Sequence, residues 1–216
     1  MYMRKWIAHR GNNNHGYAEN TKEALLAALN TDYISGIELD VRKTEDNHLV
    51  IIHNPTITWN SNGMGIVKYM TLAELKEYNF GTEKHPSKIC TLDELLKSIQ
   101  SDKKILIEIK VDDCSDLVFE TIQKYPHLNL HICSFDVKVV SDFKKEHPEY
   151  PVGLIMGKFI NHNIDTSIFD FIMTQDLEQE HKEVFVWGNH SKAKLESLDP
   201  KKSIITDKAY QFYQIK

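Results

Sequence analysis

The sequence predicts an α/β fold, a parallel sheet covered by helices, and three observations carry that expectation. Short apolar runs alternate with helical patterns along the whole chain, as when strands are joined by helical crossovers. At 216 residues the chain fits one domain, residues 1–216, and α/β barrels fill this length as a single unit. Its 41% hydrophobic and 26% charged content is ordinary globular usage and argues against both disorder and a membrane protein.

The candidate strands, in order, are Trp6 to His9, Ile37 to Val41, Leu49 to His53, Ile105 to Ile109, Leu130 to Ser134, Val152 to Ile155, Phe169 to Met173, Val184 to Trp187 and Ser203 to Thr206. A barrel takes eight strands, so at least one of these nine runs is peripheral or not a strand. The first helix is signalled by Asn20 as cap, Glu23 three residues on, and strong helix formers up to Leu29. Further helices are expected over Leu72 to Tyr78, Leu92 to Gln100, Ser115 to Lys124, Val137 to Lys145 and Lys192 to Leu198. Several of them follow a Thr, Ser or Asp. Between His53 and Leu72 the segment NPTITWNSNGMGIVKYMT is polar and weakly periodic, a long loop over one mouth of the sheet.

Charge and cysteine content narrow the function classes. Net charge is −5, with 26 Lys+Arg scattered among 31 Asp+Glu, so there is no basic groove for nucleic acid and a small, locally charged ligand fits better. Cys90, Cys114 and Cys133 are odd in number and widely spaced, which indicates neither a disulfide framework nor a zinc ribbon and suits a reduced, cytoplasmic chain. No secretory signal is visible, and no apolar stretch approaches the roughly 20 residues that span a bilayer.

Strand parity points to a candidate site. In GIELDVR, residues 36–42, Ile37, Leu39 and Val41 share one face while Glu38 and Asp40 share the other. Two carboxylates on a buried strand must be paired or bound to a metal. The segment ILIEIK repeats the pattern, with Glu108 and Lys110 opposite Ile105, Ile107 and Ile109. Lys110 can simply neutralise Glu108, but three acidic groups at strand ends also suit a hard divalent cation, Mg²⁺ or Ca²⁺, more than Zn²⁺. His9 and His53 lie at C-terminal strand ends, where α/β barrels gather catalytic groups, and an imidazole can take or give a proton near neutral pH. A hydrogen-bonded structural role is open to each, and His131 reads as a satisfied core histidine. Arg10 can fork onto phosphate oxygens or form an ordinary ion pair, and the loop GNNNHG, residues 11–16, can shape a hydroxylated substrate.

Taken together, IAHRG, AENTKEAL, GIELDVRKTEDNHLVIIHN, ILIEIK, Ser134-Phe135, VFVWGN and IITD, in that order over residues 7–207, resemble the glycerophosphodiester phosphodiesterase family of phospholipase-C-like barrels. The resemblance implies a (β/α)8 TIM barrel, allowing for irregularity, that hydrolyses a small-molecule phosphodiester to glycerol 3-phosphate and an alcohol. It implies His9 as general base and His53 as general acid, Glu38, Asp40 and Glu108 as metal ligands, and Arg10 and Lys110 near the phosphate. Trp187 is expected as an apolar wall of the site or as a core aromatic. Two alternatives stay open, a lyase that stops at a cyclic phosphate and a non-catalytic barrel that binds a phosphorylated ligand. The chain departs from the family pattern at Asn54, where Asp is usual, at Trp59, near an expected Arg, at Ala18 in place of Pro, and at WGN in place of a longer Trp motif. These positions are expected to shape substrate preference.

Overall fold

The structure, a computed structural model, describes residues 4–12, 14–157 and 164–212. Asn13, inside the predicted GNNNHG loop, lies outside the described residues. Eight parallel strands close a barrel: β1 (Trp6–His9), β2 (Ile34–Lys43), β4 (Lys104–Ile109), β5 (Leu130–Ser134), β6 (Val152–Met156), β7 (Phe171–Thr174), β8 (Val184–Trp187) and β9 (Ser203–Thr206). Each pairs with the next around the ring, and β1 closes it by pairing with both β2 and β9. The ninth strand, β3 (Leu49–Ile51), runs antiparallel to β2 outside the barrel.

The surplus strand of the sequence prediction is thus the one before His53. It stops at Ile51 rather than reaching His53 and forms a hairpin with β2, which is ten residues long and overshoots the barrel rim. The turn is made by Asn47 in the left-handed region, at φ 59°. β3 then descends, and Ile52 N–H donates to the Asp40 carbonyl at 2.9 Å.

Helices α1 (Lys22–Leu29), α2 (Leu72–Leu75), α3 (Leu92–Leu96), α4 (Ser115–Ile122), α5 (Val137–Glu146), α6 (Lys192–Ser197) and α7 (Ala209–Phe212) cover parts of the ring. Thr71 and Thr91 form full capping boxes with Glu74 and Glu94, which is why α2 and α3 start where the sequence places them. The predicted cap of α1 is corrected: Thr21, not Asn20, accepts from Ala24 N–H. Asn20 is left-handed at φ 57° and gives its amide to Asp40 instead. No helix lies between β7 and β8, so the crossover rhythm is incomplete on that side. Among the described residues no helix is long and apolar enough to cross a membrane.

Parity sorts the side chains into two layers. Ile37, Leu39, Val41, Ile105, Ile107 and Ile109 face outward into the main core with α1, α3 and α4. Ile7, Leu106, Cys133, Ile155, Phe171, Met173, Phe185 and Ile205 fill the barrel interior. Phe171 lies over Gly153, where a Cβ would sit 2.3 Å from the ring, so the glycine is what admits this floor residue. At the barrel bottom, His131 Nε2 accepts from Lys104 Nζ at 2.8 Å, and burial with that cation pushes the imidazole down to about 4. It is the satisfied core histidine that the sequence suggested. The loop after β3 packs Ile57 and Val67 with Val50, Ile52, Leu75, Phe80 and Ile89 into a satellite core, and so stands as a fixed wall over the mouth.

Candidate active site

Strand register brings the polar residues together. The pairing of β1 with β2 sets His9 level with Glu38, and the pairing of β2 with β4 sets Asp40 level with Glu108. Since alternate residues face inward, Glu38, Asp40 and Glu108 enter one space above the apolar floor. One carboxylate oxygen from each lies within 4.8 Å of the others, and all three side chains are buried.

Three buried carboxylates repel one another, and the surrounding cations offset this only in part. Arg10 N–H donates to Glu38 at 3.1 Å, and its guanidinium lies 3.3 Å from Asp40. This grip needs Arg10 in the left-handed region, at φ 52°. Lys110 Nζ sits 2.6 Å from Glu108 and 3.5 Å from Asp40, which favours the charged form of Glu108 without outweighing its burial. Burial and the neighbouring Asp40 still raise Glu38 to about 8 and Glu108 to about 7. Asp40 Oδ1 is fully buried and, beyond the long 3.5 Å ion pair to Lys110, makes no hydrogen bond. A carboxylate oxygen so weakly held beside two carboxylates that resist ionisation is the donor set of a divalent cation site, all hard oxygen. The acidic cluster can hold a metal ion.

The two histidines stand differently. His9 Nδ1–H donates to Asp207 at 2.8 Å, and its Nε2 is 3.9 Å from Glu38. Burial opposes its protonation, but Asp207 and Glu38 outweigh burial and raise its pKa above the usual histidine value. His53 has its Nδ1 against Asn54 Oδ1 at 3.0 Å. Burial depresses its pKa, and the neutral amide beside it gives weaker support to the charged form than a carboxylate would. His53 is held at the rim by Arg42, whose Nε donates to the His53 carbonyl at 2.8 Å.

Of the sequence-predicted residues, His9, Arg10, Glu38, Asp40, Glu108 and Lys110 share direct contacts. Trp187 reaches them through Phe135: the two rings meet edge-on at 5.8 Å, and Lys110 lies 5.7 Å over Phe135. Trp187 packs half-buried against the interior cluster and also lines a cavity of about 970 Å³ with Thr174, Asp176, Glu178 and His190.

Sequence reasoning missed Asp207, Asn20, Glu19, Asn60 and Arg42. Asp207 was within reach, because it follows the last predicted strand, which closure of a barrel must place beside the first. Asn20, whose Nδ2 donates to Asp40 at 2.8 Å, was masked by its resemblance to a helix cap. Asn60 carries no local signal; only the folded loop turns it toward Asn54.

Comparison with known proteins gives a consistent grouping. Residues 9–184 match the model of the glycerophosphoryl diester phosphodiesterase family. A glycerophosphodiester phosphodiesterase of Caldanaerobacter subterraneus is 34% identical over 161 residues, covering 69% of this chain and 65% of that protein. YhdW of Bacillus subtilis, provisionally named for the same activity, is 30% identical over 96% of this chain and 94% of its own length. Among solved structures, a glycerophosphodiester phosphodiesterase from Thermotoga maritima superposes with a TM-score of 0.81 at 25% identity, covering 98% of this chain and 97% of that one. An Oleispira antarctica phosphodiesterase, solved with the product sn-glycerol-3-phosphate, superposes at 0.83 with 22% identity over 98% and 96% of the two chains.

Proposed function

The chain belongs to the glycerophosphoryl diester phosphodiesterase family, and on that premise we propose that it hydrolyses glycerophosphodiesters to glycerol 3-phosphate and an alcohol with the aid of a divalent cation. The observation that carries this reading is the trio Glu38, Asp40 and Glu108, with one carboxylate oxygen from each within 4.8 Å of the others, beside His9 and His53. A Mg²⁺ or Ca²⁺ ion held by these carboxylates supplies positive charge for the non-bridging phosphate oxygens.

The chain's own residues supply the rest. Arg10 and Lys110 flank the acidic cluster and offset charge on the phosphate. By the same resemblance, His9, held by Asp207 through Nδ1, takes the proton from the glycerol 2-hydroxyl as that oxygen attacks phosphorus. His53, oriented by the Asn54 amide, protonates the departing alcohol. A five-membered cyclic phosphate results, and water then opens it with the two histidines exchanging roles. Trp187 and Phe135 wall the side that faces the Asp176 and Glu178 cavity.

The deciding experiment is a screen of glycerophosphodiesters with Mg²⁺ or Ca²⁺ added, scored by release of glycerol 3-phosphate. No release from any diester with either ion overturns the proposal. Phosphorus NMR that finds a lasting cyclic phosphate replaces hydrolysis by a lyase reaction.

A further inference from the structure

The rim beside His53 carries a chain of hydrogen bonds whose direction is set at one end. Glu19 Oε1 accepts from Arg10 at 3.0 Å and from Asn60 Nδ2 at 3.3 Å. A carboxylate accepts and does not donate, so Asn60 turns its NH₂ toward Glu19 and its oxygen away. That oxygen accepts from Asn54 Nδ2 at 3.0 Å, and Asn54 in turn presents its own oxygen to His53 Nδ1 at 3.0 Å. An amide oxygen only accepts, so His53 Nδ1 carries hydrogen and the neutral ring keeps its lone pair on Nε2. Counted from Glu19, every group has one orientation, and the last one fixed is the tautomer of the histidine.

We propose that Glu19, Asn60 and Asn54 form a positioning relay that fixes His53 as its Nδ1–H tautomer and ties the ring to the same carboxylate that holds Arg10. The proposal rests on the reading of His53 as a proton carrier. Arg10 supplies the fixed point, because its guanidinium is always charged and donates to Glu19 at 3.0 Å. The relay also accounts for asparagine at position 54. An aspartate there would set a carboxylate against Asn60 Oδ1, two acceptors with no proton between them. Turning Asn60 over would only move the same clash to Glu19. Asn54 and Asn60 are therefore a matched pair, and neither needs to touch the substrate. A wrong tautomer would present N–H where a lone pair is required, or the reverse, and so strikes the proton-transfer step more than binding.

The test is made on the full chain. Two-bond ¹⁵N–¹H histidine spectra report tautomers directly, and the His53 signals are those that vanish in His53→Gln. Wild type is expected to give the Nδ1–H pattern once the ring is neutral. Asn60→Leu removes the acceptor for Asn54 and should yield a tautomer mixture, with kcat down about tenfold and KM within about threefold, the loss typical of a supporting hydrogen bond at a catalytic histidine. Asn60→Asp combined with Glu19→Gln keeps a donor facing residue 60 and an acceptor facing Asn54, and should keep the Nδ1–H pattern. A purely space-filling role for residue 60 predicts the wild-type pattern in Asn60→Leu as well, so wild-type spectra and kcat in Asn60→Leu overturn the relay, as does equal loss of the pattern in Asn60→Leu and the double variant. If Asn60→Leu does not fold, Asn54→Leu is judged by the same two readouts. The spectra need no substrate, so failure of the enzymatic reading, seen as no turnover by wild type, is distinguishable from failure of the relay.

Discussion

Metal binding to the stripped protein at pH 7 should release about one proton or more, and the count follows from the acidic cluster. Burial and Asp40 raise Glu38 from 4.5 to about 8 and Glu108 from 4.5 to about 7. At pH 7 the first is then roughly nine-tenths protonated and the second roughly half. A carboxylate must be ionised to ligate, so both protons have to leave, together about one to one and a half per ion bound. At pH 9 both groups are already ionised and the release should fall below about 0.2. The stability consequence runs opposite to that of an ordinary ion-paired carboxylate. Here the folded pKa lies above the unfolded one, so the stripped fold loses stability as pH climbs from 4.5 to about 8. Metal binding removes that penalty, so the rise in Tm on adding Mg²⁺ or Ca²⁺ should be larger at pH 8 than at pH 5.5. Titration calorimetry in buffers of different ionisation enthalpy counts the protons. A release below about 0.3 at pH 7, with metal bound, would refute the coupling of Glu38 and Glu108 to the site.

Other expectations follow from the same geometry. His9→Ala and His53→Ala should each lower kcat about 10²- to 10⁴-fold with the melting temperature retained, and turnover near wild type in both would end the two-histidine mechanism. Asp207→Asn removes the carboxylate at 2.8 Å from His9 Nδ1, so the His9 titration followed by NMR in stripped protein should move to lower pH; an unmoved titration contradicts the pairing. The dependence of kcat/KM on pH should be bell-shaped, failing at low pH where both imidazoles are protonated and at high pH where neither is. Gly11 sits at φ +75° with a Cβ position 2.8 Å from the Leu25 backbone nitrogen, so Gly11→Ala should cost about 2 kcal/mol, a fall of about 4–8 °C in Tm.

Much of the fold was legible because parity and run length are local properties. Ile105, Ile107 and Ile109 face the helices and Leu106 faces the barrel interior, as alternation requires. What stayed illegible was direction. A strand of four apolar residues looks the same whether its neighbour runs parallel or antiparallel, so the hairpin of β2 with β3 was indistinguishable from a ninth barrel strand. Helix lengths were overestimated for a related reason: α2 and α3 stop after Leu75 and Leu96, where tertiary packing and not propensity decides the end.

The same distinction governs the site. Glu38, Asp40 and Glu108 were legible because a charge on the inward face of a buried strand needs a reason wherever it occurs. Their supports were not, because each contact spans a long stretch of sequence: Asp207 is 198 residues from His9, and Asn60 is 41 from Glu19. His53 is the instructive case. It was sought at the C-terminal end of a barrel strand, yet it stands near the rim because β2 overshoots and β3 brings the chain back down beside Asp40. A histidine on a returning strand has no barrel neighbour to hold its ring, as Asp207 holds that of His9. Its orientation must come from the loop above, from Asn54 and Asn60.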